Sequence, residues 1–213
     1  MRIAILGSGN MGGTLGRLFA TAGHSVAFSF SRDRAKLERL ARQSGPRTKA
    51  ATPREAAASA EVVLLSVLWA QMPAVLKAAG TLRGKTVIDC TNPMTPADDA
   101  LAVGHRTSGA EIVARRARGA HVVKAFNTVP VELLRAGISV LPSRPSVCFC
   151  GDHPPAKRRV ARLIRDLGFE PTDCGRLQSA RYLEPLALIV GELAYNQRKR
   201  PEVGVKFMRA ERR

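Results

Sequence analysis

The chain has 213 residues, 45% hydrophobic and 5% aromatic, with a formal net charge of +17. A chain of that size buries roughly 70% of its unfolded surface, which excludes disorder and a marginal miniprotein. The longest apolar stretch, Val62 to Leu76, is interrupted by Ser66, Gln71 and Pro73; it falls short of the ~18 apolar residues a membrane span needs.

In chain order, "RIAIL" is a short apolar run ended by glycine and reads as a buried first strand. Leu15, Leu18 and Phe19 then recur at helical spacing from Met11 to Ala22, and Gly23 is the stop. "SVAFSF" reads as strand two and "RDRAKLERLARQS" as helix two, with Asp33 as its N-cap. The pattern continues with helix "TPREAAASA", strand "EVVLLSV", helix "MPAVLKAAG", strand "KTVIDC", helix "SGAEIVARRARG" and strand "AHVVKAF". It closes with strand "SVCFCG", helix "PPAKRRVARLIRDLG", short strand "EPTDCG" and one long helix "LQSARYLEPLALIVGELAYNQ". The tail "RKRPEVGVKFMRAERR" is broken by proline and ends in a charged run expected to fray. Such alternation predicts an α/β, Rossmann-type, doubly wound and mostly parallel sheet with a small C-terminal helical extension. Residues 1–145 are expected to bind the dinucleotide, and residues 146–213 to complete the sheet and the acceptor cleft.

Gly7, Gly9 and Gly12 have G-x-G-x-x-G spacing between the first strand and the first helix, the context that motif requires. The first allows a tight turn, the second lets backbone approach a pyrophosphate, and the third lets helix pack on strand. Ser8, Asn10 and Met11 complete the loop at a helix N-terminus, where free N–H groups favour an anion. Chains that bind NAD carry a carboxylate about twenty residues further on. Here that place holds Ser31 and Arg32, with Lys36 one helical turn beyond. A hydroxyl and two cations suit a 2′-phosphate, to which Ser8 in the glycine loop can add a further hydroxyl, so NADP(H) is the expected nucleotide.

The nicotinamide is expected across the carboxyl ends of the strands. Three clusters follow those ends: Ser66, Val67, Leu68 and Trp69; Thr91, Asn92 and Pro93; Asn127, Thr128 and Pro130. None offers a proton donor, and Asp89 and Lys124 sit inside strands. The set favours a hydride passed between positioned rings over acid–base chemistry, with no catalytic acid or base assigned.

Cys90, Cys148, Cys150 and Cys174 form no CxxC and read as reduced thiols; the four histidines show no ligand spacing, so no metal is expected. The positive runs are spread along the chain and read mainly as solvated helix faces and as a field that draws anionic small molecules. With no stacking platform and no recognition motif, no nucleic-acid partner is expected. The absence of a signal segment points to the cytoplasm. Leu183, Leu186, Ile189, Val190 and Leu193 read as a core seam or a homodimer seam.

"RIAILGSGNMGGTLG", "SFSRDRAK", "LLSVLWAQ", "VVKAFNTVP" and "CFCGDHPPAKRRVARLIRDLGFEPTDCGRLQSARYLEPL" occur in that order. Together they resemble the NADPH:F420 oxidoreductase family. The resemblance implies hydride transfer between the nicotinamide and the deazaflavin coenzyme F420. It also implies 2′-phosphate contacts from Ser31, Arg32 and Lys36, and puts Ser66 to Trp69 and Asn127 beside the rings. "FNT" stands where some members carry histidine. The chain is also similar to the cytosolic portion of the six-transmembrane metalloreductases, which implies a flavin as the alternative acceptor. A non-catalytic NADP-binding sensor is the alternative of a different class.

Overall fold

A computed structural model of the chain describes residues 1–31, 33–197, 200–208 and 210. The elements are β1 (Arg2–Leu6), α1 (Asn10–Thr21), β2 (Ser25–Ser29), α2 (Arg34–Gln43), β3 (Thr48–Ala50), α3 (Pro53–Ser59), β4 (Val62–Leu65) and α4 (Met72–Ala79). There follow β5 (Thr86–Asp89), α5 (Gly109–Arg116), β6 (His121–Ala125), α6 (Val131–Ala136), β7 (Ser146–Gly151), α7 (Pro154–Asp166), β8 (Glu170–Asp173) and α8 (Ala180–Gly191).

The eight strands make one sheet in the order β3-β2-β1-β4-β5-β6-β7-β8. Neighbours are parallel except β6 and β7. Both faces are apolar because successive strand residues alternate sides. On one face Ile3, Ile5, Phe28 and Leu64 pack with Leu15, Phe19, Leu37, Val160 and Ile164 of α1, α2 and α7. On the other, Ala4, Leu6, Leu65 and Val87 pack with Ala56, Val75, Val113 and Leu183 of α3, α4, α5 and α8. This is the doubly wound Rossmann arrangement. Its strand order reverses between β1 and β4, which opens a crevice at their carboxyl ends.

Local chemistry sets the helix starts. The Asp33 carboxylate accepts from the Lys36 N–H at 2.9 Å, the capping role expected of it. Thr52 and Glu55 form a reciprocal capping box before α3.

Three features depart from the sequence reading. β3 and α6 were not expected: β3 has three half-buried or exposed residues at a sheet edge, and α6 is a six-residue segment following Pro130. The long last helix is segmented into a 3-10 turn at Leu177–Ser179, α8 with Pro185 inside it, and a π turn at Glu192–Asn196. The part of the tail nearest β7 is docked on that strand, while the end of the charged run lies outside the described residues. The Ser146 N–H donates to the Val205 carbonyl at 2.7 Å, the Phe207 N–H donates to Ser146 Oγ at 3.2 Å, and Lys206 pairs with Glu170.

Candidate active site

The glycine loop leaves β1 at the sheet reversal. Gly7 has φ +105°, and a Cβ there would lie 2.1 Å from the Ser66 carbonyl oxygen. A Cβ on Gly12 would lie 2.0 Å from the Gly7 oxygen. Both positions therefore need glycine for the fold itself. Gly9 differs, because a Cβ there would meet nothing within 4 Å. Gly9 and Asn10 are exposed and Met11 is half-buried at the start of α1. No side chain caps that helix, so its first N–H groups face outward from a glycine. Gly16 adds a contact the motif does not signal: a Cβ would lie 2.3 Å from the Phe28 ring, so α1 rests on β2 through a glycine.

Ser8 is buried, and its hydroxyl donates to the Ser29 carbonyl at 3.0 Å. Its proton thus holds the loop against β2 and is not available to a phosphate, contrary to the expectation that Ser8 adds a hydroxyl there. That carbonyl also accepts from the Gly7 N–H, at 3.2 Å. Beyond β2 the chain turns sharply at Phe30, whose φ is +59°. Ser31 and Lys36 follow at the surface, on the carboxyl side of β2 and in the first turn of α2. The Ser31 hydroxyl oxygen accepts the Asp33 N–H at 3.2 Å and organises the turn. Arg32, the third member of the expected phosphate set, lies outside the described residues.

After β4 the chain runs through half-buried Ser66 and Val67 to Leu68, which is 74% exposed, and then to half-buried Trp69 in a 3-10 turn. A leucine so exposed beside the crevice mouth leaves an apolar side chain free to meet a ring. Cys90, next to β5, is not a candidate nucleophile. Burial pushes its thiol up to about 12, and it donates to the Leu65 carbonyl at 3.2 Å.

The clusters after β5 and β6 are joined through their asparagines. Asn127 Nδ2 donates to Asn92 Oδ1 at 3.1 Å and to the Leu183 carbonyl at 2.9 Å. Asn92 Nδ2 donates to the Asn127 carbonyl at 3.2 Å. The carbonyl of Leu183 can only accept, so it fixes which way the Asn127 amide points. Asn127 is 8% exposed, and its Oδ1 is enclosed without a partner among the described residues. Phe126 just before it is fully buried in the left-handed region, φ +66°. A non-glycine there costs on the order of 1 kcal/mol or more, a strain typical of functional sites.

Beneath this pair lies a group of charges that the sequence reading left unconnected. Lys124 Nζ sits 3.0 Å from Asp89 Oδ2 and 2.9 Å from Glu184 Oε1, and all three side chains are buried. It also donates to the Thr91 carbonyl. Burial alone would lower the Lys124 ammonium, but the two carboxylates outweigh it and hold the group above its ordinary value. Asp89 Oδ1 accepts from the Thr91 N–H at 3.0 Å and from its hydroxyl at 2.7 Å. Glu184 accepts from the N–H groups of Gly109 and Ala110 at 2.8 and 3.1 Å, at the start of α5. The signal was present in the sequence: "TVID", "HVVKA" and "YLEPL" each carry one acidic or lysine residue in a mainly apolar, buried stretch.

Fold and crevice together define a Rossmann-type α/β protein with the loop geometry of a dinucleotide site. Residues 2–93 match the family model described as NADP oxidoreductase coenzyme F420-dependent. The chain is 33% identical over 218 residues to the F420-dependent NADP reductase of Methanothermobacter thermautotrophicus, covering 94% of this chain and 92% of that protein. The chain belongs to the F420-dependent NADP reductase family. It is also 31% identical over 187 residues to Metalloreductase STEAP3 of Rattus norvegicus, covering 88% of this chain and 36% of that longer protein. A crystal structure from Arthrobacter sp., provisionally described as an F420-dependent NADP reductase, superposes with a TM-score of 0.85 at 29% identity, covering 98% of this chain and 100% of that one. Among the described residues no helix is long and apolar enough to cross a membrane.

Proposed function

We propose that the protein transfers a hydride between NADP(H) and a planar redox partner, with the deazaflavin coenzyme F420 first among acceptors. The observation that carries this reading is the combination of an open glycine loop with strand ends that hold no free acid. Asp89, Lys124 and Cys90 are each bonded inside the protein, while Leu68 stands exposed. Such a site works by holding two rings at about 3–3.5 Å in a productive geometry. The lowering of the barrier then comes from ring stacking and backbone positioning rather than from a tuned proton donor.

In this reading Gly7, Ser8, Gly9, Asn10, Met11 and Gly12 make the pyrophosphate loop, with Ser8 acting through its grip on β2. Ser31, Arg32 and Lys36 hold the 2′-phosphate. Ser66, Val67, Leu68 and Asn92 run beside the nicotinamide half, and Trp69 and Asn127 lie near the reacting rings. Residues 1–145 carry the dinucleotide and residues 146–213 supply the acceptor side. The four free cysteines fit a reducing compartment such as the cytoplasm. Of the apolar seam on the last helix, Leu183 and Val190 are core residues and Leu186 is half-buried, which leaves Ile189 and Leu193 exposed for a homodimer contact.

The likeness to the metalloreductase supports a second acceptor class, a flavin. Anaerobic mixing of the protein with NADPH and a panel of acceptors decides. NADPH oxidation with a deazaflavin and none with flavins is expected. Turnover with flavins alone moves the assignment to the second class, and tight NADPH binding with no turnover across the panel makes the protein a sensor.

A further inference from the structure

The buried group formed by Asp89, Lys124 and Glu184 holds two carboxylates and one ammonium, a formal charge of −1. Every polar contact of the carboxylates is a donor: the Lys124 ammonium, the Thr91 N–H and hydroxyl, and the N–H groups of Gly109 and Ala110. Among the described residues neither carboxylate faces an acceptor that would take a carboxyl proton, so both are built into the fold purely as hydrogen-bond acceptors. The first turn of α5 offsets part of the surplus through its dipole. The remainder is enclosed where water screens it little.

The group is continuous with the strand ends that line the crevice. Lys124 bonds the Thr91 carbonyl, Thr91 precedes Asn92, Asn92 pairs with Asn127, and Asn127 bonds the carbonyl of Leu183, next to Glu184. Resting on the reading above, the nicotinamide lies over this floor. When NADPH gives up a hydride, two electrons and one proton leave together, and the ring passes from a neutral dihydropyridine to a pyridinium cation. The acceptor gains the hydride.

We infer that the Asp89–Lys124–Glu184 cluster is an electrostatic element of hydride transfer: its surplus negative charge favours the cationic oxidised ring and makes bound NADPH a stronger donor. The three side chains act at a distance and touch no reacting atom. They also tie α8 to β5 and β6, but a purely structural role would change the affinities of NADP+ and NADPH together. The electrostatic role changes their ratio.

The test is therefore the ratio of Kd for NADPH to Kd for NADP+, read by calorimetry with no acceptor present. A unit charge about 10 Å from a cation at an effective dielectric of about 20 changes binding on the order of tenfold. Glu184→Gln and Asp89→Asn each bring the cluster to neutrality, and each should cost NADP+ about five- to tenfold relative to NADPH. Glu184→Asp keeps the charge and should keep the ratio. The wild-type ratio should also persist from about 50 to 500 mM salt, a range over which surface charge becomes progressively screened; a ratio that collapses at the upper end overturns the inference. A ratio unchanged in the neutralised variants overturns the inference. Should those variants fail to fold, the wild type decides: the ratio must favour NADP+, and tighter binding of NADPH overturns the inference. A wild type that binds neither nucleotide instead refutes the NADP(H) reading itself.

Discussion

Single residues in the glycine loop divide by what surrounds them. Gly7 and Gly12 face backbone at 2.1 and 2.0 Å, whereas Gly9 faces open space. Gly9→Val should therefore leave the melting temperature within a few degrees of wild type and abolish NADPH binding, because the added methyls fill the room for a pyrophosphate. Retained nucleotide affinity in the folded variant would make the loop a turn and nothing more. The 2′-phosphate assignment has its own test. Arg32→Ala should weaken NADPH binding roughly ten- to a hundred-fold and leave NADH nearly unchanged, since removing one charged hydrogen-bond partner costs about 1.5–3 kcal/mol. Equal losses for both nucleotides, measured by fluorescence titration, would reject it.

At the scale of elements, what was readable follows what each segment buries. Strands β1, β2, β4, β5, β6 and β7 announce themselves as apolar runs because the sheet is covered on both faces. Strand β3, "TKA", sits at an edge with one flank open and needs no apolar run, so its sequence carries no strand signal. The six-residue α6 is too short for periodicity to register; only Leu133 and Leu134 in it are buried. The site shows the same division. The glycine loop and the asparagines were legible from spacing and position, while the pairing of Lys124 with Glu184 spans elements sixty residues apart and needed the fold. The docked tail was equally hidden, since its contacts are backbone hydrogen bonds to Ser146 and the packing of Gly204 near Leu141 and Pro145. Ending the chain before residue 204 should lower the melting temperature by roughly 2–4 °C, as loss of about 1 kcal/mol does for a domain of this size; an unchanged melting temperature would mean the tail docks without stabilising.

Over the whole molecule, acid acts on two histidines in the same direction. His24 is buried between the N-terminal amine and Asp166, its ring nitrogens at 3.1 and 3.0 Å from them. Burial, then the nearby amine, lowers its pKa below the ordinary 6.5 despite the opposing pull of Asp166. His121 stacks on His153 at 3.5 Å, and burial followed by that neighbour and Arg159 lowers it too. For a base held neutral in the fold, the unfolded chain binds the proton more readily. The stabilisation is complete above about pH 6.5 and drains away as pH falls below it. Urea midpoints should fall between pH 7.5 and pH 5, and a flat profile across that interval would show that neither ring contributes.

The anchoring of Glu184 to the first turn of α5 bears on how ligands come and go. Swinging α8 outward would strand buried ions without partners, a penalty of about 3–5 kcal/mol. Entry and exit must then proceed past the rim at Leu68, with the helical wall standing still. Deuterium should accordingly reach the amides of Gly109 and Ala110 only when the entire domain opens, and bound nucleotide should slow that exchange by the factor by which it stabilises the folded chain.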